Sequence, residues 1–357
     1  MSSALAGAAA RLETLDVRGV ALPRVTLEHG DARVVLLGVG AAVQSLGWPD
    51  REGQRANVVL GFRDPARYLL PHPYFGVTVG RFANRIADSA FELDGVRWAL
   101  PANDGPHCLH GGARGFHSRI FEVEPFEERG APGARFRRTS PHGEEGFPGT
   151  LELEIRALLR DDGALVLDYL AATDRPTVVS LSHHGYWNLS GGARDIREHR
   201  LTVHADQHVP LGVDGIPVGG PRSVAGGPLD FRTATRLGDR LDHPDLASRG
   251  GLDHPFVVRG APGALVPVAA LEDPVSGRGL RVSTDAPAIH VYSGQNSPGA
   301  DLPGPALPTR HAALCLETGA VADAPNQPHL GRPRLDPGER YAHRVVYAPE
   351  VRTAGAL

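Results

Sequence analysis

Apolar runs and stretches of apolar–polar alternation recur along this chain in short segments. Clusters of Gly, Pro, Asp and Asn separate many of them at spacings of roughly 8–15 residues, which is typical of an antiparallel sandwich or barrel. Helical patterning is confined to 64–68 and 233–237, two segments of about one turn each. The pattern predicts an all-β fold, a large antiparallel β-sandwich, with strands at 33–38, 91–100, 121–125, 150–158, 164–171, 200–204 and 280–283.

The same pattern bears on domain organisation. Pro and Gly are spread along the whole chain instead of being concentrated in one linker. A length of 357 residues lies within what one large β domain can reach. We therefore expect residues 1–357 to form a single domain.

Composition narrows the class of protein. An apolar fraction of 41% and a net charge of −4 are those of an ordinary soluble globular protein, and no basic surface for nucleic acid is expected. Cys108 and Cys315 are the only cysteines, too few for a disulfide framework or a thiolate zinc site. The N-terminus does not resemble a signal peptide, and no run of about 18 apolar residues occurs. We expect a cytoplasmic protein without a membrane partner.

The chain contains no lysine, so all 37 of its basic side chains other than histidine are arginine. Schiff-base chemistry, attachment of pyridoxal phosphate and the phosphate-binding loop that depends on a lysine are therefore excluded.

Residues 181–191 read Leu-Ser-His-His-Gly-Tyr-Trp-Asn-Leu-Ser-Gly and carry more hydrogen-bonding groups than a core strand needs. If the segment is a strand, His183 and His184 point to opposite faces, so at least one of them fills a structural position. In 314–319, Glu317 would share a face with Cys315 and Ala313. A carboxylate among small, buried residues is either paired or functional, because an isolated buried charge is costly.

Two other segments carry polar groups that suit a ligand. Arg81, Asn84 and Arg85 offer donors to hydroxyl, carboxylate or phosphate groups, although on this segment alone a surface pair of arginines held by Asp or Glu is the favoured explanation. His110 precedes Gly111 and could approach a ligand closely, or it could simply bond a neighbouring carbonyl.

Five segments, in this order, resemble the aldose 1-epimerase (galactose mutarotase) family: 80–86, 109–112, 144–149, 184–189 and 316–318. The resemblance spans residues from about Asn57 to about Asn326. It implies a single-domain antiparallel β supersandwich with an open sugar cleft. It also implies an isomerase that interconverts the anomers of free aldohexoses such as galactose or glucose and needs no cofactor or metal. We expect a monomer or a homodimer.

The resemblance also implies roles for individual residues. His184 lies in His-Gly-Tyr-Trp-Asn-Leu, where the family usually has His-Ser-Tyr-Phe-Asn-Leu, and matches the catalytic acid, while Glu317 matches the catalytic base. A histidine with an ordinary pKa of about 6.5 would suit that shuttle. The position of His290 commonly carries Gln in the family, and histidine offers fewer simultaneous donors and acceptors. The positions that bind or frame the sugar are Asn84, Arg85, His110, Tyr186, Asp253 and His290.

Three alternatives stay open at this point. A hexose-6-phosphate 1-epimerase would need additional arginines, such as Arg81 and Arg114, to clamp a phosphate. A non-catalytic sugar-binding protein on the same fold should lack one member of the acid–base couple, and this chain has both. A metal site would draw on the histidines, although their spacing matches no tight ligand motif: His107, His110, His117, His183 and His184.

Overall fold

The computed structural model describes residues 7–296 and 310–352, and strands dominate both ranges. The strands are β1 (Ala9–Val17), β2 (Val20–His29), β3 (Ala32–Leu37), β4 (Ala42–Pro49), β5 (Arg55–Asn57), β6 (Thr78–Val79), β7 (Arg85–Ile86), β8 (Ala90–Leu93), β9 (Val96–Ala99), β10 (Cys108–Leu109), β11 (Glu122–Glu128), β12 (Ala131–Ser140), β13 (Leu151–Leu159), β14 (Leu165–Thr173), β15 (Thr177–Val178), β16 (Ser182–His183), β17 (Tyr186–Trp187), β18 (Arg200–Val203), β19 (Gln207–His208), β20 (Arg222–Ser223), β21 (Thr235–Arg236), β22 (Asp253–Val257), β23 (Val266–Glu272), β24 (Arg278–Thr284), β25 (Ala288–Tyr292), β26 (Leu314–Gly319), β27 (Arg334–Leu335) and β28 (Tyr341–Val351).

Helices are short. One α-helical turn, α1, spans Gly238–Leu241, and the 3₁₀ turns are Pro65–Leu69, Ala87–Ser89, Phe116–Ser118, Glu144–Gly146, Pro244–Arg249 and Pro328–Leu330. Within the described ranges, none of these helices has the length and apolar character needed to cross a membrane.

Three large sheets, all antiparallel in their pairing, organise the molecule. Strands β1 to β5 form a five-stranded sheet in sequence order. The nine-stranded sheet has the order β11-β12-β13-β14-β28-β24-β23-β18-β21, and the six-stranded sheet has the order β17-β26-β25-β22-β19-β20. These sheets confirm the all-β prediction.

The sheets bury their apolar faces against one another. Along β13, the side chains of Leu151, Leu153 and Ile155 are buried, while the residues between them are more exposed, as alternation on a half-buried strand requires. Trp48 of β4 stacks on Trp187 of β17 with ring centroids 5.8 Å apart, so the five-stranded and six-stranded sheets meet in the core.

The seven predicted strand segments all overlap observed strands, but many other strands are missed and some boundaries are wrong. The run at 91–100 is two strands, because Asp94 and Gly95 both adopt positive φ and form a tight turn between β8 and β9. A helix at 233–237 is wrong: Thr235 and Arg236 pair with β18 at the sheet edge, and the helical turn begins only at Gly238. The turn expected at 64–68 is confirmed as the 3₁₀ turn Pro65–Leu69.

Candidate active site

A cleft of about 220 Å³ opens at the six-stranded sheet and receives side chains from distant parts of the chain. Its volume lies below the roughly 300–1,000 Å³ typical of sites for drug-sized ligands, which fits a small polar ligand. All eight residues singled out from the sequence line it. The lining consists of Pro73, Tyr74, Asn84, Arg85, Asp104, Leu109, His110, His184, Tyr186, Asp253, His290, Tyr292, Asn296 and Glu317.

Strand register brings the sheet residues of the cleft together. In the pairing of β25 with β26, His290 lies directly opposite Glu317. The alternation expected for β26 is confirmed, because Leu314 and Leu316 enter the main core, whereas Cys315 packs in a second apolar cluster on the other face. Glu317 shares that second face, and it lines the cleft.

His184 and Glu317 form the centre of the cleft. Nε2 of His184 lies 3.7 Å from Oε1 of Glu317, and each side chain is only 6% exposed. The imidazole of His184 stacks against the rings of Tyr186 and Tyr74, at centroid distances of 5.0 and 5.6 Å. His183 points to the other side of its strand, where Nδ1 is 3.3 Å from the Tyr347 hydroxyl. The two adjacent histidines therefore occupy different environments.

Burial shifts the proton equilibria of both central groups. The pKa of Glu317 rises to about 8, because burial penalises the carboxylate and the charge of Asp253 adds to the effect, while Arg85 opposes it. Burial lowers the pKa of His184 to about 3. The ordinary histidine pKa expected from the sequence is therefore wrong for this site. At neutral pH the two shifts favour a neutral pair, a protonated Glu317 and an uncharged His184.

The paired strands β7 and β10 and the residues beside them carry a second group of polar side chains in the cleft. The backbone N–H of Asn84 donates to Nδ1 of His110 over 3.1 Å, and the N–H of Arg85 donates to Oδ1 of Asn84 over 2.8 Å. Because Nδ1 of His110 accepts a hydrogen bond, the hydrogen of the neutral ring lies on Nε2. Arg85 is held by Asp104, with Nε 2.7 Å from Oδ2. Tyr74, Asn84 and His110 all have positive φ, at 62°, 67° and 54°.

Asp253 and His290 form a second polar pair in the cleft. Nε2 of His290 donates to Oδ1 of Asp253 over 2.6 Å. Burial alone would raise the pKa of Asp253, but the hydrogen bond and charge of His290, with the charges of Arg85 and Arg249, outweigh it and hold that pKa below its usual range. Asp253 is therefore an ionised acceptor at neutral pH.

Strand β28 of the nine-stranded sheet makes hydrogen bonds to the segment before His184 and to β26, which carries Glu317. The N–H of Leu181 donates to the Tyr341 hydroxyl over 3.0 Å, and Nδ1 of His343 donates to the Leu181 carbonyl over 3.0 Å. Nε2 of His343 is therefore a hydrogen-bond acceptor. The hydroxyl of Thr318, the residue after Glu317, donates to it over 3.0 Å. One buried histidine thus connects the segment before His184 to the strand of Glu317.

Several residues that line or support the cleft are not found from the sequence. Asp104 lies in an Asn-Asp-Gly-Pro turn, and its turn-forming role hid the ion pair that it makes with Arg85. Tyr74 is an aromatic residue in a Pro-rich loop, and no spacing relates it to His184. His343 belongs to a long core strand, where a histidine gives no signal of its own.

The residues proposed for a phosphate clamp are placed elsewhere. Arg81 is buried and donates to carbonyl oxygens of Ser140, Pro148 and Gly149 and to the Ser140 hydroxyl. Its guanidinium is therefore committed to the fold. Arg114 is exposed and does not line the cleft.

The five histidines of the metal alternative do not converge on one point. His183 faces Tyr347, and Nε2 of His107 lies 3.5 Å from Asp214. His110, His184 and Glu317 do bring one ligand atom each within 4.8 Å of the others. In neutral His110, however, the lone pair lies on Nδ1 and accepts the N–H of Asn84, so the ring presents a donor and not a metal ligand.

A larger cavity, of about 550 Å³, lies on the outer face of the nine-stranded sheet. Two of its charged side chains, Arg137 and Glu154, pair with each other over 2.8 Å. These two side chains are 52% and 26% exposed to solvent, whereas those of His184 and Glu317 are each 6% exposed. The smaller cleft is therefore the candidate active site.

Comparison with known proteins gives consistent results. A family model described as aldose 1-epimerase matches residues 23–348. Galactose mutarotase from Bos taurus is 38% identical over 324 residues, which cover 90% of this chain and 92% of that protein. Aldose 1-epimerase from Escherichia coli K12 is 33% identical over 327 residues, which cover 90% and 94%. The crystal structure of galactose 1-epimerase from Lactobacillus acidophilus superposes with a TM-score of 0.84 at 26% identity, covering 97% of this chain and 100% of that one.

Proposed function

The chain belongs to the aldose 1-epimerase family and is an isomerase, and on that premise we propose that its cleft interconverts the α and β anomers of free aldohexoses such as galactose or glucose. The resemblance seen in five short segments of the sequence is thereby confirmed. The observation that carries the proposal is the enclosed pair of His184 and Glu317, a potential acid and a potential base 3.7 Å apart in a cleft for a small polar ligand.

The reaction needs a base at the anomeric hydroxyl and an acid at the ring oxygen. Glu317 takes the proton of the anomeric hydroxyl while His184 gives a proton to the ring oxygen, and the ring opens to the aldehyde. After rotation about the bond between C1 and C2, the ring oxygen attacks the other face of the carbonyl and both proton transfers reverse. Each such group typically contributes about 10²–10⁴-fold to the rate.

The pair requires only one proton for this cycle. With the proton on His184, the pair is ready for ring opening. With the proton on Glu317, both side chains are uncharged, which is the arrangement that burial favours. A sugar hydroxyl that donates to Glu317 stabilises its ionised form and moves the shared proton towards His184. Substrate binding therefore prepares the base.

The remaining side chains of the cleft are proposed to hold the sugar. Arg85 and Nε2–H of His110 supply donors, whereas Asp253 supplies an ionised acceptor. Asn84, Tyr186 and His290 complete the wall. When a sugar lacks a hydroxyl at the matching position, these groups are left without a hydrogen-bond partner. They therefore set which aldose is accepted.

We further propose that the protein forms a single domain and works in the cytoplasm as a monomer or homodimer on a monosaccharide alone. The two buried cysteines, neither of them in a disulfide, support an intracellular site. Light scattering on a size-exclusion column would measure the oligomeric state.

Polarimetry tests the function. Freshly dissolved α-D-galactose and α-D-glucose should lose their excess rotation faster with the protein than without it, and His184→Ala and Glu317→Gln should abolish most of the acceleration. Wild-type rates in both variants would overturn the assignment. Glucose 6-phosphate serves as the comparison substrate, and a faster reaction on it would favour a hexose-6-phosphate 1-epimerase.

A further inference from the structure

We propose that one water molecule binds behind Glu317, between its carboxyl group and the hydroxyl of Ser182, and that Ser182 acts through this water as a positioning residue for the base. The water site follows from the structure of the cleft alone. The kinetic consequence rests on the proposed function.

The first observation is the state of Ser182. Its side chain is almost completely buried, at 1% exposure, and its Oγ has no hydrogen-bond partner among the residues that the structure describes. A buried hydroxyl is rarely left unpaired, because its desolvation is then uncompensated. The hydroxyl of Ser182 therefore calls for a partner that is not a protein group.

The second observation is a small cavity on the inner side of the cleft. It is lined by both Ser182 and Glu317, and it offers about 20 Å³ to the centre of a water molecule. A site of about 10–15 Å³ is enough for one water. The cavity is therefore large enough for a single water and much smaller than the neighbouring cleft of about 220 Å³.

The chemistry of the lining suits a water. Five side chains of the lining can form hydrogen bonds: Asn84, Ser182, His290, Glu317 and Thr318. Among them, the hydroxyl of Thr318 is already bonded to His343. A buried water usually has two to four polar partners. Alanine and glycine residues form much of the remaining wall, which explains why the space exists: their side chains are too small to fill it.

The water would act on the base through its hydrogen bonds. A water that accepts a hydrogen bond from the Ser182 hydroxyl keeps both of its own hydrogens free to donate. A hydrogen bond donated by this water to Glu317 stabilises the carboxylate. Burial works in the opposite direction, since it favours the protonated acid. The water site therefore supplies the ionised form on which the proposed reaction depends.

Crystal structures of the wild type and of Ser182→Ala test the site itself, at a resolution that reveals buried waters. We expect one water within hydrogen-bond distance of both Ser182 Oγ and the Glu317 carboxyl in the wild type. Its absence from the wild-type cavity would overturn the proposal, whatever the enzyme turns out to catalyse.

Kinetics tests the role of Ser182. Loss of the hydroxyl should lower kcat about tenfold, the effect of one hydrogen bond, with KM unchanged. It should also move the alkaline limb of the rate profile to higher pH, because a less stabilised carboxylate keeps its proton longer. A wild-type kcat and an unmoved limb in Ser182→Ala would contradict the role.

Thr177→Val is the matched control. Thr177 is also buried with no partner for its Oγ among the described residues, but it lines neither the cavity nor the cleft. Its variant should keep the wild-type pH profile. If the wild type accelerates no aldose, the proposed function fails while the crystallographic result still decides the water site.

Discussion

Nε2 of His184 lies 3.7 Å from Oε1 of Glu317, although the two residues belong to segments far apart in the chain. This distance is short enough for both groups to reach one sugar ring and too long for a strong hydrogen bond between them. The two side chains therefore remain available to a ligand.

Removal of either central group should abolish most of the activity. We expect kcat of Glu317→Gln and of His184→Ala to fall by about 10²–10⁴-fold, because each variant lacks one of the two proton carriers. Polarimetry on α-D-galactose measures the loss. Glu152 is an exposed residue that lines the larger outer cavity, and Glu152→Gln should remain fully active. This control shows which of the two cavities is the active site.

The rate should depend on pH in a way that reflects the shared proton. The couple loses that proton as pH rises through the raised pKa of Glu317, so kcat/KM should fall above about pH 8. It gains a second proton only near the lowered pKa of His184, about 3, so no acidic limb is expected near pH 6.5. A loss of rate between pH 7 and 6 would contradict the assignment of His184.

The buried carboxyl group of Glu317 should lower the free energy of unfolding as pH rises. Glu317 has a higher pKa when folded than its ordinary value of 4.5, so its contribution to the free energy of unfolding is complete below pH 4.5 and is lost as pH rises through about 8. The size of this loss is on the order of 5 kcal/mol. Urea unfolding measures the free energy of unfolding of the wild type and of Glu317→Gln. Between pH 5 and pH 8, the stability of the wild type should fall relative to that of the variant. A difference that is constant with pH would show that the carboxyl is not protonated.

The bond between Thr318 and His343 should matter for catalysis. Thr318→Val keeps the shape of the side chain but removes the hydroxyl that binds Nε2 of His343, so we expect kcat to fall about tenfold with KM unchanged. Thr284→Val is the control, because Thr284 approaches the same nitrogen over 3.1 Å from a strand that carries no cleft residue. Thr318→Ser restores the hydroxyl and should restore the rate. Equal losses in both valine variants would indicate a general effect on the core.

His290 should act mainly on sugar binding. Its Nε2–H donates to Asp253 and helps to keep it ionised, so His290→Ala should raise KM about tenfold or more by removing that hydrogen bond from a buried carboxylate. His290→Gln retains a donor and should stay within a few-fold of the wild type in KM. A fall in kcat with unchanged KM would instead place His290 with the proton carriers.

The strand pattern could be predicted because burial on one face leaves a period of two in the sequence. That period alone also predicts that Glu317 shares a face with Cys315, as it does. The sequence could not reveal Tyr74 or the clamp formed by His343, because their roles depend on contacts between segments more than 100 residues apart, as with His343 and Leu181, which are separated by 162 positions. The pKa of His184 was also beyond reach, since burial is its main cause.

The hairpin of β1 and β2 was missed for a different reason. Its outer strand is largely exposed or half-buried, so the alternation that marks a half-buried strand is weak there. The segment 181–191 is predicted as one strand but contains two, because β16 pairs with β6 whereas β17 pairs with β26 of the six-stranded sheet. Local patterns thus identify strands that bury one face, and they fail where a strand does not.

The left-handed backbone of Tyr74, Asn84 and His110 sets the stability of the fold against the function of the cleft. Each of these residues holds a conformation that costs an L-amino acid about 1 kcal/mol or more and that glycine adopts freely. Glycine at any of them would relax the backbone while deleting a side chain that the cleft uses. Backbone relaxation and the side chains of the cleft therefore make opposite demands on these three positions, so substitutions that stabilise the fold there should do so at the expense of activity.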